Sequence, residues 1–119
     1  MGLRGTPTSA IVAGRPFQLS ASLWRDFMPV SPPNGQPLAV VIRLPDQLTT
    51  VRVERIWVIF GDEVWSAAAE QVPGTQDWVA REGPKWGPGV RVDVVARLRD
   101  GSDREILVRA PDRMIQRTD

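Results

Sequence analysis

The stretch VRVDVVARLRDGSDREILVRA, residues 90–110, decides the fold. Apolar and polar residues alternate in its two halves, and the turn sequence RDGSD separates them. Alternation with a period of two is typical of β-strands that bury one face and solvate the other. The apolar face consists of Val90, Val92, Val94, Ala96 and Leu98 in the first half and Ile106, Val108 and Ala110 in the second. The stretch is therefore predicted to form an antiparallel hairpin.

The register of this hairpin is limited by burial, because a slip of one residue would place apolar side chains opposite charges. One allowed register pairs Val94 with Val108. It also sets three pairs of opposite charge face to face, namely Asp93 with Arg109, Arg97 with Glu105 and Arg99 with Asp103. Each such pair contributes about 0.2–1 kcal/mol. We predict this register over the one two residues away, which keeps the faces but loses those direct pairs.

Further strands are predicted wherever short apolar runs lie between turn residues. These runs are FQLSASLW (17–24), LAVVIRL (38–44), VRVERIWVIF (51–60), EVWSAA (63–68) and DWVAR (77–81), with SAIVA (9–13) as a shorter one. The 11 prolines and 10 glycines separate them, and no stretch shows a sustained helical period. The dipeptide Gly-Asp at 61–62 predicts a tight hairpin with Val58 opposite Trp65 and Ile59 opposite Val64.

These strands predict an all-β fold, an antiparallel immunoglobulin-like β-sandwich of about seven strands. Parallel pairing would need helical crossovers, and the sequence predicts none. A chain of 119 residues suits one domain. We expect a flexible N-terminal tail over 1–8, a single sandwich domain over 9–115 and a C-terminal tail over 116–119.

Composition excludes several kinds of chemistry. The chain has no Cys and no His, so Ser-His-Asp and Cys-His catalytic groups and the usual zinc ligands are absent. Neither glycine-rich phosphate-binding motif occurs. Paired carboxylates can carry out glycoside hydrolysis, so an enzyme that relies on Asp62, Glu63 or Asp77 is a further alternative. We predict instead that these carboxylates are solvated turn residues, and that DGSD at 100–103 is a plain turn rather than a calcium loop. We therefore expect no enzyme, no cofactor and no metal.

Charge and hydropathy limit the partners. The net charge is +1 and basic residues are scattered among acidic ones. The sequence therefore lacks the basic stripe that is typical of nucleic-acid binding, and we expect no nucleic-acid partner. No apolar run reaches 18 residues, so no transmembrane segment is predicted. All but one of the 15 basic residues are arginine, a bias typical of a GC-rich bacterial genome. Without a signal-like segment the protein is expected in the cytoplasm, or in the cell envelope or secreted if a leader was removed.

Five tryptophans are the most informative residues. Trp57 lies in the densest apolar run and is predicted to be in the core. Trp24 falls on the polar side of its strand, where it would cap the sandwich or face solvent. Trp65 would share a face with Val58, and Trp78 would lie on a short edge strand.

Trp86 lies in the loop EGPKWGPG, residues 82–89, between two Gly-Pro steps. Such a ring either seals the core or forms a binding platform, since aromatic residues dominate binding hot spots. We predict a plug with an exposed indole edge. If something binds, Lys85 and Arg81 would supply polar contacts, so the candidate binding residues are Trp86, Lys85, Trp78 and Arg81.

The strand count, length and alternation over residues 10–115 resemble bacterial immunoglobulin-like or fibronectin type III-like domains. The Cys…Trp…Cys spacing and the tyrosine corner are absent, so no functional residue is carried over. The resemblance implies a non-catalytic binding or structural module whose partner is a protein or a polysaccharide. One alternative is a carbohydrate-binding module that uses exposed Trp. Another is a proteinase inhibitor, because GDEVWS (61–66) is similar to small bacterial immunoglobulin-like inhibitors.

Overall fold

A computed structural model describes residues 2–29 and 32–119, and in these ranges the chain is all-β, as predicted, without α-helix. One 3₁₀ turn, Leu3–Gly5, precedes the strands. The ten strands are β1 Ala10–Val12, β2 Arg15–Phe17, β3 Ser20–Asp26, β4 Leu38–Arg43, β5 Arg52–Phe60, β6 Glu63–Ala68, β7 Glu70–Gln71, β8 Asp77–Gly83, β9 Arg91–Arg99 and β10 Glu105–Thr118. No helix in the described ranges is long and apolar enough to cross a membrane.

Eight strands form one continuous sheet in the order β6-β5-β9-β10-β3-β4-β8-β7, and β1 and β2 form a separate hairpin. The long strand β10 joins two layers. Its first part pairs antiparallel with β9, and after a register shift between Ala110 and Arg113 its last part pairs with β3. The layer β6-β5-β9 therefore connects to the layer β3-β4-β8-β7 through β10, and the core lies between their inner faces.

The prediction of about seven strands, all antiparallel, is wrong in two respects. The described ranges hold ten strands, and the pair of β10 with β3 is parallel, with Ile115 opposite Leu23. Parallel neighbours need a long connection between them, which is usually a helix. Here the connection from β3 to β10 consists of the six strands β4 to β9 and their loops, so it is long enough without a helix.

The two outer strands of the sheet approach each other, so that the sheet nearly closes. The chain passes from β6 to β7 at Ala69, whose N–H donates to the carbonyl oxygen of Glu54 at 3.2 Å. Beside it, the indole of Trp65 lies over Gly83 of β8. Such closure shields strand edges that would otherwise be open to pairing with another chain.

Replacing Gly83 with alanine is expected to lower the free energy of unfolding by about 1–3 kcal/mol, the usual cost of overpacking a core. An added Cβ would lie 3.0 Å from Cβ of Leu38 and 3.1 Å from Cζ3 of Trp65. Urea denaturation measures the loss. The matched control is Gly2→Ala, because a Cβ at Gly2 meets no atom within 4 Å. A Gly83→Ala protein as stable as the control would contradict this closure.

The hairpin predicted at Gly61 and Asp62 is confirmed, with Val58 opposite Trp65 and Ile59 opposite Val64. The register predicted for the β9–β10 hairpin is wrong by two residues, since Val108 lies opposite Ala96. The three predicted ion pairs nevertheless form as diagonal contacts: Arg109–Asp93 at 3.1 Å, Arg97–Glu105 at 3.7 Å and Arg99–Asp103 at 3.7 Å. Long arginine side chains reach diagonal neighbours, so these pairs do not select the register.

Asp100 sets the observed register through the turn that it organises. Its carboxylate accepts hydrogen bonds from the backbone N–H groups of Ser102 at 2.9 Å and Arg104 at 3.0 Å. Its carbonyl oxygen also accepts from the N–H of Asp103, a residue with a φ of 65°. This local bonding, typical of aspartate in turns, favours a longer loop than the predicted register allows.

Both chain ends contact the sheets. The N–H of Arg109 donates to the carbonyl oxygen of Pro7 at 2.9 Å, and its Nε donates to that of Thr6 at 3.0 Å. Thr6 is itself only 6% exposed, and β10 continues to Thr118. The domain limits of 9–115 and the flexible tails stay a prediction. Residues outside those limits, such as Thr6 and Thr118, contact the sheets.

Glu54 connects β5 to β9 on the outer face of their layer. Its carboxylate accepts hydrogen bonds from Nε of Arg99 at 2.8 Å and from Nε of Arg97 at 3.2 Å. The hydrogen bond from Arg99 is the main cause that lowers the pKa of Glu54, and the nearby positive charges act in the same direction. The ionised form of Glu54 is therefore the one that the folded chain favours.

The Glu54→Gln protein is expected to lose less stability in acid than the natural chain. Because the folded pKa of Glu54 lies below its unfolded value, its contribution is present above about pH 4.3, the ordinary glutamate pKa, and disappears as the pH falls through the folded pKa. Urea denaturation from pH 6 to pH 3, values chosen around that range, measures the slope. Glu63→Gln is the control, since Glu63 is exposed and forms no ion pair in the described ranges. Equal acid sensitivity of both variants would contradict the role of Glu54.

Candidate functional site

Trp86 packs inward at one end of the two layers. Its ring is partly buried against the hydrophobic core, and its centroid lies 5.4 Å from that of Phe60 at an interplanar angle of 54°. Phe60 is the last residue of β5, directly before the turn at 61–62. A tilted aromatic pair of this kind adds to the free energy of burial. The placement favours the interpretation of Trp86 as a plug.

Arg25 of β3 is the central residue of this end. Its side chain is 0% exposed. Nε donates to the carbonyl oxygen of Gln36 at 3.0 Å, and Nη1 donates to those of Lys85 at 3.0 Å and Gly87 at 2.8 Å. Nη2 donates to the carbonyl oxygen of Asn34. The guanidinium group thus joins the loop 32–37 to the loop 84–89, and we call these two segments the paired loops.

No carboxylate pairs with Arg25 in the described ranges. Burial lowers the pKa of Arg25, because a charge removed from water is disfavoured. The dipoles of the four carbonyl groups offset the free-energy cost of burying this charge. The planar guanidinium group can donate to several acceptors at once. A buried charge is costly when left without hydrogen bonds, so these contacts hold the paired loops firmly.

Phe27 extends this arrangement towards the C-terminus. The guanidinium of Arg25 lies 4.9 Å from the centroid of its ring and that of Arg117 lies 4.3 Å from it, both within cation–π range. Gly35 packs against the ring, where a Cβ would lie 2.6 Å from Cε2 of Phe27. Its φ of 73° also favours glycine. The first of the paired loops is therefore fixed by both packing and backbone conformation.

The four residues predicted from the sequence lie on two segments, two of them in the paired loops and two on β8. Lys85 lies beside Trp86 in the second of the paired loops, and its Nζ donates to the carbonyl oxygen of Pro33 at 3.2 Å. Arg81 is exposed near the end of β8. Trp78 lies further along β8, opposite Ile42, and is partly buried against the core. Its Nε1 is buried and has no hydrogen-bond partner in the described part of the chain.

A groove opens beside the paired loops, on the outer face of β3 and β4, with a volume of about 260 Å³. We call it the Trp24 groove, and the side chains that matter for its chemistry are Trp24, Asp26, Gln36, Ala39, Arg81 and Glu82. Trp24 and Asp26 flank Arg25 in sequence, and side chains alternate along a strand. They therefore face outward where Arg25 faces inward.

A β-bulge shapes the other wall of the groove. Leu38 pairs with Gly83 and Val40 with Ala80, so that Arg81 and Glu82 together lie opposite one residue of β4. Glu82 has a φ of 67°, a conformation that is unusual for residues other than glycine. Bulges of this kind redirect side chains and are frequent next to functional sites.

The charges of the Trp24 groove are not neutralised by neighbours. Asp26, Arg81 and Glu82 form no ion pair with any residue in 2–29 or 32–119. Asp26 accepts one hydrogen bond at Oδ1, from the N–H of Met28 at 3.1 Å. The described residues contain no cluster of three or more side chains able to ligate a metal. The groove therefore presents free donors and acceptors beside an aromatic ring.

Sequence reasoning placed Trp57 differently from the structure. Trp57, predicted to be in the core, is partly buried on the outer face, opposite Val95 and Ser66, with the guanidinium of Arg97 5.6 Å from its ring. The prediction was wrong because β5 carries apolar residues on both faces. Trp24 was expected to cap the sandwich or face solvent, and it lies in the groove.

The role of Arg25 had one signal in the sequence. The alternation of Leu19, Ala21 and Leu23 on the buried face continues to position 25, which places a charged residue where an apolar one is expected.

Comparison of the chain with protein-family models, curated proteins and solved structures finds no match in any of the three.

Proposed function

We propose that this chain is a non-catalytic binding module on an immunoglobulin-like or fibronectin type III-like β-sandwich. Two layers that enclose one core, with most connections short, support the sandwich. The parallel pair of β10 with β3 extends that architecture by letting one strand take part in both layers. The step from fold to function rests on the paired loops and the Trp24 groove, since a fold alone does not fix a role.

The observation that carries the proposal is the buried guanidinium of Arg25 between the paired loops. Loops that only connect strands can remain mobile without cost to the fold. Here a charge is buried and four carbonyl groups are committed to hold two loops in one arrangement. Rigid loops lose less conformational entropy when a ligand binds, so pre-organisation raises affinity. The arrangement therefore favours a binding surface at this end.

The charges beside the paired loops support the same surface. Arg81 and Glu82 are exposed and unpaired in the described ranges, while most charges on the opposite layer are paired, such as Glu54 and Asp93. Unpaired polar groups next to a partly buried indole can form hydrogen bonds to a ligand without first breaking internal ones. The proteinase-inhibitor alternative and the location in the envelope stay predictions.

Two parallel screens test the proposal, a glycan array and a phage-displayed peptide library, each against the full chain. We expect binders in at least one screen that are retained by an Arg15→Ala/Glu70→Ala protein and lost by an Arg81→Ala/Glu82→Ala protein. All four residues are exposed, so neither double variant should disturb the core. Mass spectrometry of the recovered ligand should show it chemically unchanged.

Three results would overturn the proposal. The first is the absence of any binder in both screens. The second is binding that is equal in the two double variants, which would place the surface elsewhere. The third is a ligand that is cleaved or modified by the chain, since a non-catalytic module leaves it intact.

A further inference from the structure

We infer that the Trp24 groove is a subsite for one neutral sugar ring of an oligosaccharide. The inference rests on the proposed binding function and names the ligand class of the same surface. It differs from the sequence-based expectation in its residues, because Trp86 and Trp78 are packed against the core whereas Trp24 lies in the groove.

The indole of Trp24 supplies the stacking surface. Its strand neighbours on the outer face are Ala39 of β4 and Gln116 of β10. Ala39 is small, so it leaves space beside the ring. The C–H groups on one face of a pyranose carry partial positive charge and are attracted to the negative face of an aromatic ring. A flat, partly apolar ring therefore fits next to Trp24.

The polar side chains around the indole fit hydroxyl groups. Arg81 only donates hydrogen bonds, Asp26 and Glu82 only accept them when ionised, and Gln36 does both. Each sugar hydroxyl both donates and accepts, so it can use all of these groups. The two carboxylates outnumber the one guanidinium, so an anion would be repelled. Donors and acceptors are both present, and a neutral polyhydroxylated ligand can form hydrogen bonds with all of them.

The size of the groove sets the length of ligand that it holds. Its volume of about 260 Å³ lies just below the range of about 300–1,000 Å³ for sites of drug-sized ligands. One sugar ring is the natural occupant of that space. The walls are pre-organised, because Gln36 belongs to the paired loops, whose carbonyl groups Arg25 holds.

Nuclear magnetic resonance of the full chain tests the inference. Cellohexaose, xylohexaose, mannohexaose, maltohexaose and chitohexaose serve as probes, and the indole N–H of Trp24, assigned with a Trp24→Phe protein, reports occupancy of the groove. We expect at least one probe to shift this resonance in a saturable manner. The Trp24→Ala protein should bind that probe at least about tenfold more weakly, which corresponds to about 1.4 kcal/mol.

The matched control is Trp57→Ala, since Trp57 is also partly buried on an outer face but lies on the other layer. This control should bind within about twofold of the natural chain, a small change on the same energy scale. If Trp24→Ala does not fold, the Arg81→Ala/Glu82→Ala protein replaces it, with a loss of at least about fivefold expected from removed hydrogen bonds. The spectrum of each variant reports whether its fold is intact.

Two results overturn the saccharide inference. One is the absence of a shift at Trp24 with every probe up to about 10 mM, a concentration that would detect even millimolar affinity. The other is equal binding by Trp24→Ala and Trp57→Ala. If peptides from the phage library shift the Trp24 resonance while the sugars do not, the saccharide inference fails and the binding module stands. If neither class binds, both fail.

Discussion

Replacing Arg25 with methionine is expected to lower the free energy of unfolding by about 3 kcal/mol or more. The substitution keeps an unbranched side chain that reaches as far as the position of Nε, and it removes every donor that Arg25 supplies to the paired loops. Leaving a buried carbonyl group without a partner costs about 1–3 kcal/mol, and the four carbonyl groups affected here accept in partly buried hydrogen bonds. A buried ion pair can sometimes be replaced without loss of stability when both partners become apolar. That is not possible here, because the partners of Arg25 are backbone carbonyl groups.

Urea denaturation and thermal unfolding measure this loss, and the melting temperature should fall by about 10 °C or more for a domain of this size. Arg25→Lys should recover part of the loss, because an ammonium group keeps the charge but lacks the planar fork. Arg15→Met is the control, since Arg15 is exposed and forms no ion pair in the described ranges. An Arg25→Met protein as stable as this control would show that the guanidinium does not hold the loops.

Replacing Trp86 with alanine is expected to cost about 2–3 kcal/mol of stability. Truncation of a core tryptophan typically costs about 3–5 kcal/mol, and the ring of Trp86 is only partly buried. The loss comes from the contact with Phe60 and from the cavity that opens at the end of the core. Thermal unfolding and urea denaturation are the measurements.

Trp86→Phe is the conservative comparison and should recover roughly half of the loss, because it keeps an aromatic ring against Phe60. The alternative, that Trp86 is a binding platform, gives the opposite pattern. In that case Trp86→Ala would unfold like the natural chain and lose the ligands found in the screens. Such a result would contradict the plug and move the binding surface from Trp24 to Trp86.

Local patterns predicted the strands because burial repeats with the period of a strand. The alternation in β3 and β9 and the Gly-Asp turn at 61–62 depend on neighbouring residues alone, and these predictions are confirmed. The register of the β9–β10 hairpin could be predicted only by knowing whether the ion pairs or the turn geometry determines it. Diagonal arginines satisfy the ion pairs in either register, so the turn at Asp100 decided it.

Long-range order was not accessible from the sequence. The parallel pairing of β10 with β3 joins the two ends of the chain's path, and no local pattern encodes which strands become neighbours. The Trp24 groove depends on the same information, because its walls come from β3, the loop 32–37 and the bulge at 81–82. Arg81 was identified from its neighbourhood to Trp86, whereas Trp24 of β3 approaches Arg81 only in the folded chain.

The rigidity of the paired loops in the free protein is measured most directly by backbone ¹⁵N relaxation at Gly35, Gln36, Lys85, Trp86 and Gly87. With Arg25 holding these segments, we expect order parameters of about 0.85, as in the strands, and a clear decrease in Arg25→Lys. Order parameters below about 0.6 in the natural chain would mean that the loops move freely on the nanosecond timescale. That result would contradict a pre-organised binding surface built on Arg25.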